Sequence, residues 1–410
     1  MKYLLKNKDK VILEFEVKEI QSKFELYGDD TQRFITRKVI SNVEILDSTL
    51  IPKSINVNNI DKSLTNFIKH RKVPSNRAFV NDILKTLNAV DSDDNFMAYV
   101  DISLALSLND SFWIVPSDKD YKWKDYNLYD NKFDEALSLV AFSGGSHKIS
   151  GITSSPEYTT NGMLKKCWHR DDGQIYLYKG STENSYNSNG IEAYSEYYMA
   201  QIAEMMGFDF VPYDLREFHG QIVSVCPIFT NENEGYIPIH HLLSNDFDKD
   251  NSEKLALEIS KIYGKSAFED LMLFDALICN TDRHLGNFGM IIDNNTNEIL
   301  RPAPIFDNGN SIIENVGYDE SQHAKTISSQ FISKPLRYNF NKQLELFVRH
   351  RHLDGLNRLV RFNFKRHEKF NLDDNFLESI QKCIKYRANL ALEFAYTNNN
   401  DNITHKPRKP

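Results

Sequence analysis

Residues 268 to 309 constrain this chain more than any other stretch. Phe268 to Cys279 is almost wholly apolar, which predicts a buried helix that fixes where the next segment starts. That segment is polar: Asn280-Thr281-Asp282-Arg283-His284-Leu285-Gly286-Asn287-Phe288-Gly289. Met290-Ile291-Ile292-Asp293 and Ile299-Leu300 then flank Asn294-Asn295-Thr296-Asn297, the composition of a strand, a turn and a strand. Such a return would carry Ile305-Phe306-Asp307-Asn308-Gly309 back beside Asn287. Taken singly, Asp282 could cap a helix, His284 could fill a polar slot, and Asp307-Asn308-Gly309 could be a plain turn. Their order says more. A carboxylate, an amide five residues on and a second carboxylate after a turn can orient a hydroxyl and offer hard oxygen ligands to Mg²⁺.

Composition sets the frame for that site. At 410 residues the chain suits two or three domains, and 41% hydrophobic content with 12% aromatics can build their cores. A net charge of -8 argues against a protein that coats nucleic acid along its whole surface. No apolar run approaches the ~20 residues of a membrane span, and the apolar core of Met1-Lys2-Tyr3-Leu4-Leu5-Lys6 is too short for a signal peptide. Cys167, Cys226, Cys279 and Cys383 are scattered without metal-ligand spacing, as reduced thiols of a cytoplasmic protein would be.

The order of elements predicts an α+β chain. In residues 1–135, Val11, Leu13, Phe15 and Val17 alternate as in a strand, Arg77 to Leu87 and Met97 to Leu108 follow as helix-like and apolar stretches, and nothing carries recognisable chemistry. Residues 136–235 begin with a Gly/Ser-rich passage from Ser143 to Gly162. A hairpin follows, Met163–Trp168 and Ile175–Tyr178 around Asp171-Asp172-Gly173, then a helix from Ile191 to Met206 stopped by Gly207. Strands are expected over 210–215 and 221–229, before a polar turn at 231–235. Residues 236–397 read as helical over Ser252–Tyr263, Ala267–Cys279, Lys342–Val360 and Asp374–Tyr396, and 398–410 as a frayed tail.

From Ser143 to Tyr396 the chain resembles the HipA-like serine/threonine kinases, chiefly through Asn280–Gly289 and Ala303-Pro304-Ile305-Phe306-Asp307-Asn308-Gly309. The resemblance implies a bilobal protein-kinase-like fold with a strand-rich N-lobe and a helical C-lobe, to which the N-terminal subdomain is an addition. It implies ATP and Mg²⁺ as cofactors, Asp282 as catalytic base, Asn287 and Asp307 as metal ligands, and His284 holding the catalytic loop. It implies a protein substrate, with targets in the translation machinery, and toxin–antitoxin pairing with a small DNA-binding partner. The first ~130 residues depart from the usual family N-terminus.

Upstream, Lys179 ends a strand where a lysine would pair with the α- and β-phosphates, and Glu196 on the next helix would anchor it, with Glu192 one turn earlier as the alternative. Thr159-Thr160-Asn161-Gly162-Met163-Leu164-Lys165-Lys166 is similar to the family's phosphate loop, with Gly162 and Lys166 at the matching steps; Gly144-Gly145 competes for that role. Ser154, Ser155, Thr159 and Thr160 are the counterparts of a loop serine that family members autophosphorylate. The backbone of Pro227-Ile228-Phe229 is the expected hinge against adenine. From Lys334 to Lys369, ten Lys/Arg against three acids give a local balance of +7, either a solvated helical face or a dock for nucleic acid. Two other functions fit these residues: a nucleotidyl (AMP) transferase, and a non-catalytic binding module using the 334–369 face.

Overall fold

The computed structural model describes residues 1–24, 33–86, 96–97, 99–145, 155–182, 190–244, 248, 250–316 and 323–404. Eleven strands and the helices between them form a mixed α+β chain, with the strands in three sheets among the described residues. The first sheet is built from β1 (Lys2–Asn7), β2 (Lys10–Phe24), β3 (Arg33–Ile45) and β4 (Phe112–Pro116), ordered β3-β2-β1-β4. The alternation that predicts β2 buries Leu13 and Phe15 on one face, and β1 pairs antiparallel with Tyr3 opposite Phe15 and Leu5 opposite Leu13. Helix α1 (Ile60–Lys69) completes this core with Leu64, Phe67 and Ile68, the i, i+3, i+4 face of an amphipathic helix. Each such apolar side chain contributes about 1.5–3 kcal/mol by leaving water.

The next sheet has β5 (Lys166–Asp171), β6 (Gln174–Lys179), β7 (Asp214–Phe218) and β8 (Gln221–Pro227) in the order β5-β6-β8-β7. Both of its two-residue turns have left-handed backbone at each central position: Asp172 (φ 47°) and Gly173 (φ 83°), then His219 (φ 48°) and Gly220 (φ 72°). That matches the right-handed twist of a hairpin. Strands β9 (Glu234–Pro238), β10 (Gly289–Asp293) and β11 (Ile299–Pro302) form the third sheet, ordered β11-β10-β9.

The main helices beyond residue 190 are α2 (Glu192–Met206), α3 (Ser252–Tyr263), α4 (Lys265–Ile278), α5 (Phe340–Phe347), α6 (Leu353–Val360) and α7 (Asp374–Thr404). Gly207 ends α2 with a left-handed backbone, and Asn251 and Asn339 cap α3 and α5 by accepting from the amides of Lys254 and Lys342. The expected single helix over 342–360 is two. Val348 is extended, and Arg349 and Arg351 turn back to bind Glu269 of α4. In α6, a Cβ at Gly355 would lie 3.1 Å from the Met206 backbone, tighter than most Cβ contacts, so glycine eases this approach of α6 to α2. The final helix runs to Thr404, past the expected end at Tyr396 and into the stretch read as a tail. Among the described residues no helix is long and apolar enough to cross a membrane.

Packing separates two compact units. One comprises Met1–Leu177, Thr230–Ile237 and Ile291–Leu300; the other comprises Tyr178–Phe229, Pro238–Met290 and Arg301–Pro410. This division cuts across the linear segments 1–135, 136–235 and 236–397. It assigns Lys179, Glu196, Asp282, Asn287 and Asp307 to the second unit and the 155–166 loop to the first.

Candidate active site

Helix α4 buries Phe268, Leu271, Met272, Phe274, Leu277 and Ile278 almost completely and ends at Cys279, whose left-handed backbone (φ 54°) turns the chain into the polar loop. One acid inside α4, Asp275, is fully buried. It receives the Nε and Nη2 of Arg283 at 3.0 Å, and the amide of Asn280 at 3.2 Å. Burial lowers the affinity of the Arg283 guanidinium for its proton, but Asp275 outweighs that and holds its pKa above the usual range. Arg283 also donates to Asn287 O at 3.1 Å, to Asn308 Oδ1 at 2.8 Å and to Phe306 O. One sealed guanidinium thereby ties the helix, the loop and the Asp307 segment together.

That segment has further supports. The Ile305 amide donates to Asp209 O and the Val211 amide to Ile305 O, both at 2.9 Å. The Asp307 amide donates to the Tyr213 hydroxyl at 3.1 Å, and the Ser195 hydroxyl donates to Asn308 O at 3.1 Å. Asp307 sits in left-handed backbone (φ 59°), a conformation aspartate tolerates better than most residues and one found at functional turns.

Lys179, at the end of β6, places Nζ 2.8 Å from Glu196 Oε1 and 2.5 Å from Asp307 Oδ1. The other oxygen of Glu196 accepts from the Asn308 amide at 2.7 Å, so this buried carboxylate links the lysine to the Asp307 segment. Desolvation pulls the Lys179 pKa down, but the two carboxylates, Asp307 first, hold it above its ordinary value. Lys179 therefore stays a cation. Glu192, the alternative anchor, is used elsewhere: it accepts from the Thr182 amide at 3.2 Å and from the Thr182 hydroxyl.

The Asp282 amide donates to Asn280 Oδ1 at 3.0 Å, and the Asp282 carboxylate is over a third exposed. Asn287 is buried, and its Nδ2 donates to Asp282 O at 3.2 Å, which leaves the amide oxygen as the end able to ligate a cation. Among the described residues no three His, Cys, Asp or Glu side chains converge on one cation position. The Asn287 and Asp307 oxygens nevertheless fit Mg²⁺, which binds few protein groups and takes its remaining ligands from water and substrate phosphates.

The His284 contact lies within the 280–289 loop itself. The ring is exposed and turns onto its own loop, with Nδ1 accepting from the Gly286 amide at 3.0 Å; a Cβ at Gly286 would lie 2.8 Å from the ring. Arg283, its neighbour, supplies contacts beyond that loop. Sequence reading passed over Arg283 and Asp275, although an acid within the apolar run Leu271–Ile278 and an arginine eight residues later are a detectable signal.

At the expected hinge, β8 ends at Pro227, with Ile228 half-buried, and the Phe229 ring packs 5.3 Å from Phe306. In the other unit, the 155–166 loop begins with a turn of 3-10 helix, Pro156–Tyr158. Thr159 is buried and donates to Leu106 O at 2.7 Å; Thr160 donates to Pro156 O at 2.7 Å and accepts from Trp168 Nε1 at 2.9 Å. Ser155 is 1% exposed. Lys166 Nζ donates to Asn161 O at 2.7 Å across Gly162 (φ 98°), where a Cβ would lie 2.2 Å from that nitrogen. In this conformation Ser155 and Thr159 are buried where an autophosphorylation site must be exposed, and Ser154 lies outside the described residues. The competing Gly144-Gly145 pair has positive φ at both positions, and Gly145 donates to Asp82 at 3.2 Å.

Much of the basic 334–369 stretch is paired within its own unit. Lys334 meets Asp282, Arg337 meets Asp250, Arg349 and Arg351 meet Glu269, and Arg366 meets Asp374. The +7 of the linear segment is largely offset by acids from elsewhere in the chain.

No family model and no curated protein matches this sequence. Among solved structures, HipA of Shewanella oneidensis MR-1, from the complex of the HipA and HipB toxin–antitoxin system with its operator DNA, aligns over 96% of this chain and 98% of its own. The TM-score is 0.53 at 12% identity. The Helicobacter pylori proinflammatory kinase CtkA aligns over 58% of this chain and 94% of its own, with a TM-score of 0.46 at 19% identity. The chain has a HipA-like kinase fold.

Proposed function

We propose that this chain is an ATP- and Mg²⁺-dependent phosphotransferase that moves the γ-phosphoryl group to a serine or threonine hydroxyl of a protein. The observation that carries this reading is Lys179 held between Glu196 and Asp307, in the same packing unit as Asp282 and Asn287. A lysine bridging a helix glutamate and a metal-segment aspartate has no packing purpose that a smaller apolar group would not serve better, since buried ion pairs are weak contributors to stability. It is the arrangement that phosphoryl transfer requires.

In this mechanism Lys179 binds the α- and β-phosphate oxygens while Glu196 fixes its position. Bound Mg²⁺ would be held by Asn287 and Asp307 and would neutralise phosphate charge. Asp282 accepts a hydrogen bond from the acceptor hydroxyl, orients it in line and takes its proton. Arg283 keeps the loop and the Asp307 segment in register. Catalysis is then positioning and charge neutralisation by preformed groups. Residues 136–235 would supply the nucleotide-holding part, with the Pro227–Phe229 backbone against adenine, and 236–397 the catalytic part. The likeness to HipA, solved with HipB and operator DNA, supports pairing with a small DNA-binding antitoxin as a further element of the proposal.

The test is incubation with Mg-ATP, alone and with cell lysate, followed by intact-mass measurement and modification-site mapping. A phosphate adduct that disappears in Asp282→Ala is the expected result. An AMP adduct would replace this reading by nucleotidyl transfer, and turnover identical in Asp282→Ala would sink the assignment of the site.

A further inference from the structure

We propose that Lys334 is a second cation of the active site, one that contacts the transferring γ-phosphoryl group and aligns Asp282 with the acceptor. This rests on the phosphotransferase reading and extends it to a residue 52 positions beyond Asp282 in the chain.

Lys334 Nζ lies 2.8 Å from Asp282 Oδ1, with the lysine 57% and the aspartate 36% exposed. An ion pair this open adds on the order of 0–1 kcal/mol to stability, so folding gains little from it. The other cations of the cluster are committed. Arg283, the one basic side chain between Asp282 and Asn287 apart from the His284 imidazole, is sealed inside and bound to Asp275, Asn287 O, Phe306 O and Asn308. Lys179 is held between Glu196 and Asp307. Charge developing at the acceptor end of the transfer therefore meets a solvent-facing cation in Lys334.

The backbone that presents Lys334 is well anchored. Ile332 and Asn339 form a β-bridge, the Ser333 amide donates to Tyr338 O at 2.8 Å, and the Arg337 amide donates to Ser333 O at 3.0 Å. Leu336 is fully buried, its carbonyl accepts from the Ser252 hydroxyl at 2.5 Å, and Arg337 pairs with Asp250 at 2.9 Å. A fixed turn carrying a flexible four-carbon ammonium with three donors suits a group that keeps its bond to Asp282 while reaching a phosphate oxygen as substrate arrives.

In the transfer, the acceptor oxygen bonds to the γ-phosphorus as the bond from that phosphorus to the β,γ-bridging oxygen breaks. The bonding electron pair leaves with ADP, and the hydroxyl proton passes to the Asp282 carboxylate. Lys334 donates its hydrogen bond to a γ-phosphoryl oxygen as charge develops there in the transition state, and keeps its proton.

Lys334→Met and Lys334→Arg separate this role from a structural one. ADP release and phosphate incorporation are measured with Mg-ATP and dephosphorylated casein as surrogate acceptor, alongside the dissociation constant of ATP and the Tm. Expected for Lys334→Met is a kcat lower by roughly 10²-fold, the size of losing one preorganised charge-stabilising donor, with ATP affinity and Tm essentially unchanged. Lys334→Arg should recover most of kcat. Equal or higher kcat in Lys334→Met overturns the proposal, a rise meaning that Lys334 only blocks Asp282. A fall in kcat matched by a fall in Tm that Lys334→Arg does not recover also overturns it. No phosphoryl transfer by the unaltered chain overturns the phosphotransferase reading itself, a result distinguishable from a Lys334 effect because it needs no variant.

Discussion

The sequence marks both the Lys179–Asp307 cluster and the 155–166 loop as nucleotide-handling, and their interiors differ. In the cluster, charged groups face one another and two carboxylates, Asp282 and Asp307, remain about a third exposed. In the loop, hydroxyls and the Lys166 ammonium are turned inward onto backbone carbonyls. The first arrangement keeps polar capacity for a ligand; the second uses it to hold a turn. Residue type alone does not separate them, because threonine and lysine serve equally well as ligand groups and as caps.

The strongest way to break this comparison is Asp282→Ala. It should lower kcat by about 10²–10⁴-fold, the usual contribution of a positioned base, while equilibrium ATP binding persists. Asp307→Ala comes next: it should abolish the Mg²⁺-dependent part of ATP affinity, read by titrating nucleotide with and without metal. Arg283→Met tests the scaffold beneath the cluster. It leaves Asp275 buried without its partner, and denaturant unfolding should show a loss of about 3–5 kcal/mol.

Two smaller effects probe the loop. Thr159→Val removes a buried hydroxyl that donates to Leu106 O; stability should fall by about 1 kcal/mol, with the phosphosite map unaltered. Appearance of Thr159 phosphopeptide in the unaltered chain would contradict its burial. A pH-dependent effect concerns Glu157, fully buried beside Arg77, whose carboxyl is pushed up to about 7 by burial against the pull of Arg77. A carboxyl with a folded pKa above its unfolded one favours the folded state at low pH. That contribution is fully present below the unfolded value near 4.5 and is lost as pH rises through about 7. Tm should therefore carry a component that declines over this window, and Glu157→Gln should flatten it.

Much of the fold was legible because its signals are local. The alternation in β2, the Asp172-Gly173 turn and the Gly207 stop after α2 all act within a few residues of themselves, and each element forms near its expected place. The helix over 342–360 was not legible in full. Its helical pattern is continuous, but the chain turns extended at Val348, and Arg349 and Arg351 beyond it pair with Glu269. The Lys179–Glu196 contact was anticipated, since a strand-end lysine and a glutamate on the next helix are 17 positions apart along one connection. Arg283 was not: side-chain type suggests an exposed cation, and only the placement of Asp275 makes its burial affordable.

By itself the sequence determined the order of most strands and helices, the turn chemistry, and the set of oxygen and nitrogen groups that we propose act on a phosphoryl group. Those follow from periodicity, backbone preference and ionisation, properties each residue carries with it. The tertiary structure decided which of those groups meet. It brought Lys334 to Asp282 across 52 residues, sealed Arg283 against Asp275, left His284 at the surface and turned the Thr159 hydroxyl inward. Desolvation and long-range pairing settle such outcomes, and neither can be read from any residue and its neighbours in the chain.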